Sequence, residues 1–318
     1  MKSTILSSLL LLALFVLPAH GDVPGKELLA TGHVDEATQT LEEQVRRSPS
    51  DAAAYNLLCR SYFMMEEWDR GIAACEHARN LDPVNSLYQL WLGRVYGEKA
   101  ARAGFVSAAG LAKKVRISFE RAVELDPTNS AARADLAEFY VEAPAIVGGG
   151  KDKARAQADA LLPLNPAMSH WVLAHIASKE KDPARAEREY RGAIEVGHSG
   201  ARAWFELAIF LFRGNRLDEM EKALHTMESS PLDRADALLD GASLLHRTGR
   251  DRAMAVRLLR RYLDSPVEEG PAFKAHDLLG QVLEKQGDRK AAADEFRAAL
   301  ALSHSYARAR EDLKRVEH

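Results

Sequence analysis

The stretch from Tyr55 to Pro83, YNLLCRSYFMMEEWDRGIAACEHARNLDP, decides the fold. Tyr55, Leu58, Cys59 and Tyr62 recur at helical spacing and make one face of a first helix. Gly71, Cys75 and Ala78 make a stripe of small residues on a second helix. Small residues on one helix let an antiparallel neighbour approach closely, while the large ones fill the space between the two. Pro83 ends the unit, because proline has no amide hydrogen and restricts the residue before it. Pro49, behind Arg46-Arg47-Ser48, stands 34 residues upstream of Pro83 and ends a helical pattern in the same way. Two further stops follow, Leu125-Asp126-Pro127 and Leu164-Asn165-Pro166, at intervals of 44 and 39 residues. A fixed period of this kind is the mark of a repeat architecture.

Other segments carry the same spacing. Trp204, Leu207-Ala208 and Leu211 are followed by Met220, Leu224 and Met227. His276, Leu279-Gly280 and Leu283 precede Ala292, Phe296 and Ala299, and His170, Leu173-Ala174 and Ala177 precede Ala186, Tyr190 and Ala193. Leu92-Gly93 and Tyr96 pair with Phe119, Ala122 and Pro127, while Leu136-Ala137 and Tyr140 pair with Ala154, Ala158 and Pro166. A poorer unit spans about 235–265 with Gly249 at its turn, and a shortened first unit has a brief helix before Gly32. The pattern resembles that of the tetratricopeptide-repeat (TPR) family, in which each repeat is a helix–turn–helix of 34 residues. The resemblance implies an all-α fold, an αα superhelix (TPR solenoid) of about eight helix pairs over residues 22–305. A capping helix at 306–318, with a polar outer face, would shield the last pair from water.

Two insertions interrupt the period, near 99–114 and 143–151, each at a turn between paired helices. Insertions in repeat arrays fall in loops on one face and either contact a ligand or lengthen a hairpin. The run Gly148-Gly149-Gly150-Lys151 is not a phosphate loop, since Asp152 replaces the required hydroxyl and Ala145 the first glycine. It reads as a turn.

Residues 1–21 read as a secretory signal peptide: Lys2, an apolar run from Ile5 to Leu17, then Pro18 and Ala19-His20-Gly21. Thirteen residues of helix span only about 20 Å, short of a hydrocarbon core. The expectation is cleavage after Gly21, a periplasmic or secreted chain, and no membrane insertion once the signal is removed. The chain has two cysteines, Cys59 and Cys75, on facing helices of one repeat. Small buried thiols filling core slots are the expectation, and a disulfide in an oxidising compartment is the alternative. With 47% hydrophobic residues, 28% charged residues and a net charge of −3 spread evenly along the chain, nothing indicates disorder or a nucleic-acid-binding surface.

No catalytic residue and no metal or cofactor site is expected. H-E-x-x-H, G-x-S-x-G and C-x-x-C are absent, and His170 and His175 point to different sides of a helix. The family resemblance implies that the first helix of each pair lines a concave groove. Transferring its spacing selects Arg60, Arg94, Trp171, Phe205, Phe212, Arg213 and Arg247 as partner-binding residues. The same face carries Asn56, Phe63, Leu90, Glu98, Glu138, Glu142 and His175. Asn56 and Arg60 are similar to the start of the family's carboxylate clamp, but Glu98, Glu138 and Glu142 depart from it, so that role is not assigned. The aromatics either line the groove or pack into neighbouring repeats as core. The function implied is a non-enzymatic scaffold holding a protein or peptide, with an apolar and negatively charged partner segment expected beside the arginines. The alternatives are an assembly subunit of an envelope complex, acting through its convex face or insertions, and an enzyme with an unrecognised site.

Overall fold

The computed structural model describes residues 24–265 and 270–318. Residues 1–21, read above as a signal peptide, lie outside them. Among the described residues the secondary structure is entirely helical, and the helices run in eight antiparallel pairs followed by one more. They are α1 (Pro24–Ala30) and α2 (Val34–Arg47), α3 (Ala52–Met64) and α4 (Trp68–Leu81), α5 (Ser86–Arg102) and α6 (Phe105–Leu125), and α7 (Ser130–Glu142) and α8 (Lys151–Leu161). Then come α9 (Pro166–Lys179) and α10 (Pro183–Val196), α11 (Ala201–Arg213) and α12 (Leu217–Ser229), α13 (Asp236–Thr248) and α14 (Arg252–Leu263), α15 (Ala272–Gln286) and α16 (Arg289–Leu302), and the terminal α17 (Ala307–Glu317).

The boundaries have a local cause. Proline closes one pair, and two residues later a short polar side chain caps the next helix: Pro49 then Asp51, Pro83 then Asn85, Pro127 then Asn129. Asp51 accepts from the Ala54 amide at 2.9 Å and Asn129 from the Ala132 amide at 3.0 Å. Each cap satisfies a backbone donor that the first helical turn leaves over, typically contributing about 1 kcal/mol. At the fourth boundary Asn165 caps α9 directly, with Pro166 as its first residue.

Neighbouring pairs are tied by a repeated device. The tyrosine near the end of a first helix donates its hydroxyl to a glutamate of the preceding second helix: Tyr62 to Glu42 at 2.7 Å, Tyr140 to Glu120 at 2.8 Å, and Tyr96 to Glu76. Burial and the adjacent carboxylate push all three phenols well above their usual range.

Both insertions lengthen hairpins. The first adds no loop: α5 and α6 simply run on, and only two residues turn between them. The second forms a 3-10 turn at Ala145–Val147 followed by the glycine run. Gly148 there has φ +103°, and a Cβ on Gly149 would sit 1.8 Å from the Ala143 carbonyl oxygen. The glycines are therefore required by a tight ordered turn.

The cysteines form a disulfide, Cys59–Cys75, with their Cα atoms 5.2 Å apart. This corrects the expectation of two free thiols: both side chains are fully buried, and the helix pair brings them within bridging distance.

The solenoid turns back on itself. Lys274, at the start of α15, pairs with Glu66 in the α3–α4 turn at 2.5 Å, and the His304 amide donates to Asp35 of α2 at 2.7 Å. Phe273, 2% exposed, enters the core of the N-terminal repeats and meets Tyr306 edge-to-face, with ring centres 4.9 Å apart. The two ends thus meet in a seam, and the concave side becomes the inside of a ring.

Candidate functional site

Two contiguous cavities occupy the inside of the ring. The larger, about 670 Å³, lies between the N-terminal repeats and the C-terminal ones. Its apolar wall is Phe63, Leu87, Leu90, Trp91 and Ala131. The opposite wall is the segment Leu232–Asp236 between α12 and α13, together with Tyr262. The second cavity, about 450 Å³, continues along α7, α9 and α11 and includes Ala134, Asp135, Glu138, Trp171, Arg202 and Glu206. Arg94, Ala131, Asp233 and Arg234 belong to both.

The polar groups are organised as Arg–carboxylate pairs. Arg94 donates to Asp135 at 2.7 Å while lying 4.9 Å from the centre of the Trp91 ring. Arg202 joins Glu206 at 2.6 Å, Asp240 at 2.9 Å and Asp236 at 3.6 Å. Its amide is also held by Asp233 at 3.0 Å, which fixes the 231–236 segment against the start of α11. Glu138 makes no such pair among the described residues. It is exposed to the groove yet surrounded by protein, and that setting, with Asp135, Glu206 and Glu142 nearby, pushes its carboxyl up to about 7; Arg202 offsets only part of this. Burial likewise raises Asp240.

Charge in the cavities leans negative: Asp135, Glu138, Glu206, Asp233 and Asp236 face Arg94, Arg202 and Arg234. Two buried donors are left over. Trp91 Nε1 and the Tyr262 hydroxyl have no hydrogen-bond partner among the described residues, although Trp91 is 3% exposed and Tyr262 fully buried. An unpaired buried polar group costs about 1–3 kcal/mol.

The residues selected from sequence divide into four groups. Arg94 and Trp171 line the cavities, and Trp171 stacks on His175 at 4.2 Å. Burial lowers the His175 imidazole below its usual range. Arg60 lies behind the wall, its guanidinium 5.0 Å from the Trp91 ring. Phe205 is 8% exposed and packs into the core, with Arg202 over its ring at 5.2 Å, so it offers no free wall. Phe212, Arg213 and Arg247 sit at the far ends of α11 and α13, outside both cavities; Arg247 covers the Phe212 ring at 4.5 Å. Sequence reasoning missed Trp91, Arg202, Glu206, Tyr262 and the 231–236 segment. Only the run Pro231-Leu-Asp-Arg-Ala-Asp236 could have pointed there: Pro231 and Asp233 keep the usual proline–polar spacing, but Asp233 holds the Arg202 amide and α13 begins later, without a side-chain cap.

Among the described residues one trio offers three metal-ligand atoms within 4.8 Å, Glu221, His225 and Asp251. Glu221 is engaged by Arg250 at 2.5 Å and Asp251 caps α14 through the Met254 amide at 2.9 Å, so two of the three already serve the fold.

Sequence comparison matches a tetratricopeptide repeat over residues 172–224 and again over 273–315. No curated protein sequence matches the chain. Solved structures of similar fold include a thermophilic TPR protein of Thermus thermophilus, with TM-score 0.50 and 19% identity, covering 59% of this chain and 95% of that one. Yeast Tom70 is similar with TM-score 0.53 and 17% identity, covering 89% of this chain and 58% of its own. At such identities the likeness concerns the fold. Two stretches of the chain are thus tetratricopeptide repeats by sequence, and the helix pairs before and between them share the superhelical fold of TPR proteins.

Proposed function

We propose that this protein is a non-enzymatic scaffold that holds an extended segment of a partner polypeptide inside the ring, between α5, α7 and the 231–236 segment. The observation that carries the reading is the larger cavity. It sets an apolar wall opposite a polar one and is lined by residues bearing two buried donors, Trp91 Nε1 and Tyr262 Oη, that find no acceptor among the described residues. Cavities of this size, mostly apolar with a few placed polar groups, are typical of ligand sites. An extended peptide presents backbone carbonyls that could serve such donors, and side chains that could fill the apolar side. The surplus of carboxylates favours a segment that combines apolar and basic side chains, the reverse of the negative charge expected from the arginines in the sequence.

The same reading places the protein in the periplasm or outside the cell. The Cys59–Cys75 bridge supports an oxidising compartment, and the apolar run at Ile5–Leu17 supports export. Intact mass of the exported protein tests this: a chain beginning at Asp22 agrees, and one that retains residues 5–17 refutes it.

Site-specific photocrosslinking in the producing cell tests the binding site. A benzophenone side chain at Leu87, an exposed residue lining the larger cavity, should form adducts with a polypeptide. The same group at Lys222, on the outer helix α12, should not. Adducts from Lys222 with none from Leu87 would overturn the assignment.

A further inference from the structure

The two insertions lie on the same edge of the ring, at the turns inside successive helix pairs, and neither contributes to the cavities described above. Their surface differs from the rest of the molecule. Phe105 and Val106, at the tip of the α5–α6 hairpin, are 91% and 84% exposed, and Ile146, in the 3-10 turn of the next pair, is 93% exposed. The 3-10 turn packs against α6, with Gly148 against the Arg116 side chain, so Ile146 lies beside the middle of α6 while Phe105 and Val106 stand at its tip, about 16 Å further along the same strip of the edge. The hairpin stands proud of it. Helix α5 has 17 residues and α6 has 21, against 13 and 14 for α3 and α4, which adds about 6 and 10 Å at 1.5 Å per residue. A Cβ built on Gly104 or Gly110 would meet nothing within 4 Å, so the tip stands in open space.

The charge around this strip is one-sided. From Lys99 to Phe119 the sequence has five basic residues, Lys99, Arg102, Lys113, Lys114 and Arg116, and no acidic one, in a chain of net charge −3. The second insertion runs into Lys151, Lys153 and Arg155 with only Asp152 opposed. Some of these cations are used within the fold: Lys99 pairs with Asp69, Arg102 with Glu98, and Arg116 with Glu120 at 2.9 Å. Lys113, Lys114 and Lys153 have no carboxylate partner among the described residues. All three are exposed; Lys114 lies 4.9 Å from the centre of the Tyr96 ring, and Lys153 donates to the Gly148 carbonyl at 3.0 Å.

We propose that this edge docks on an anionic lipid surface, with Phe105, Val106 and Ile146 entering the headgroup region and Lys113, Lys114 and Lys153 facing the lipid phosphates. The pattern fits a bilayer better than a folded partner. The apolar side chains are separate knobs on convex turns, and they would need a matching socket at each point on a protein. A lipid interface accepts protruding apolar groups anywhere on its plane and rewards flanking cations through its negative surface potential. Among the described residues no helix is long and apolar enough to cross a membrane, and the contact proposed is with the surface. The ring would then sit with one edge on the bilayer and its cavity open from the side. This inference stands apart from the groove reading, and either can fail without the other.

The test is flotation of the purified full chain with vesicles of phosphatidylcholine alone or with about one quarter phosphatidylglycerol. The chain should float with the anionic vesicles and at least about tenfold less with the neutral ones, and raising the salt to about 0.5 M should weaken binding. Phe105→Ser with Val106→Ser and Ile146→Ser should lower binding about tenfold or more, and so should Lys113→Glu with Lys114→Glu. All these side chains are exposed, so the thermal midpoint should stay at the wild-type value. Failure of the wild-type chain to float with anionic vesicles would overturn the proposal, as would unchanged flotation of the triple variant. A dimer in sedimentation velocity that becomes monomeric in the triple variant, with no vesicle binding by either, would assign the edge to a second copy of the chain instead.

Discussion

Breaking the Cys59–Cys75 bridge should loosen one repeat and leave the far side of the ring alone. The bridge joins residues 16 apart in sequence, on α3 and α4 of a single helix pair. For a loop of that length the chain-entropy relation gives about 3 kcal/mol of stabilisation. In a repeat array, stability is nearly a sum of local and nearest-neighbour terms, so the loss should concentrate in Ala52–Leu81. Amides that exchange by separation of α3 from α4 should then exchange roughly two orders of magnitude faster. The assay is hydrogen exchange with mass spectrometry on the oxidised chain and on chain reduced under denaturant and refolded in reductant, with intact mass confirming both states. Reduction is a cleaner perturbation than Cys→Ala, because the two fully buried sulfurs stay in place and no cavity forms. Unchanged exchange in α3 and α4 after confirmed reduction would refute the argument. So would an acceleration spread evenly to α11–α14, which would mean that the ring opens as a whole.

Glu138→Gln should stabilise the protein above pH 7 and change little at pH 4.5. The folded carboxyl titrates near 7 and an unfolded one near 4.5, so between those values the folded state holds a proton that the unfolded chain does not, and stability falls as pH rises through this window. Thermal midpoints of both proteins across pH 4.5–8 check the sign, and a variant less stable than wild type at pH 8 would contradict it. Lys274→Glu should weaken the seam by facing Glu66 with a like charge, and adding Glu66→Lys should restore it. The radius of gyration from small-angle scattering should rise and then return; the effect should be small, since exposed pairs contribute only about 0–1 kcal/mol, and should shrink in high salt, which screens the charges. Gly93→Val should lower the thermal midpoint, since a Cβ there would lie 2.4 Å from the Phe119 ring and overpacking typically costs about 1–3 kcal/mol.

The local parts of the fold were legible for physical reasons that act over short distances. Pro83 and Pro127 stop helices wherever they stand, and the spacing of Leu58, Tyr62, Gly71 and Cys75 follows from the helical period. The glycine run, read as a turn against a phosphate loop, is a turn, held by the positive φ of Gly148. Features that depend on how pairs stack were not legible. The Cys59–Cys75 bridge hinges on a Cα separation that periodicity fixes only to within a few ångströms. Phe205 has the groove phase of its helix, yet α13 packs against α11 and buries it. The larger cavity combines Trp91 with Tyr262, residues brought together only because the solenoid closes, and that closure rests on contacts such as Lys274 with Glu66, 208 positions apart. Of the acidic wall only Glu138 is legible in the sequence, as a departure from a carboxylate clamp; Asp135 and Glu206 join it only through the shared wall on which the three meet.

The central claim is that the inside of the ring is the binding surface, and filling it tests that most directly. Ala131 lines both cavities at the start of α7, where a larger side chain projects into open space between the walls. Ala131→Trp should occupy much of the passage while leaving the helix pairs and the thermal midpoint intact. Titrating the wild-type and variant chains with the partner segment recovered by crosslinking gives the comparison. The account predicts at least about a tenfold loss of affinity in the variant, the scale of a blocked central contact. Equal affinity in a variant that folds like the wild type would contradict it.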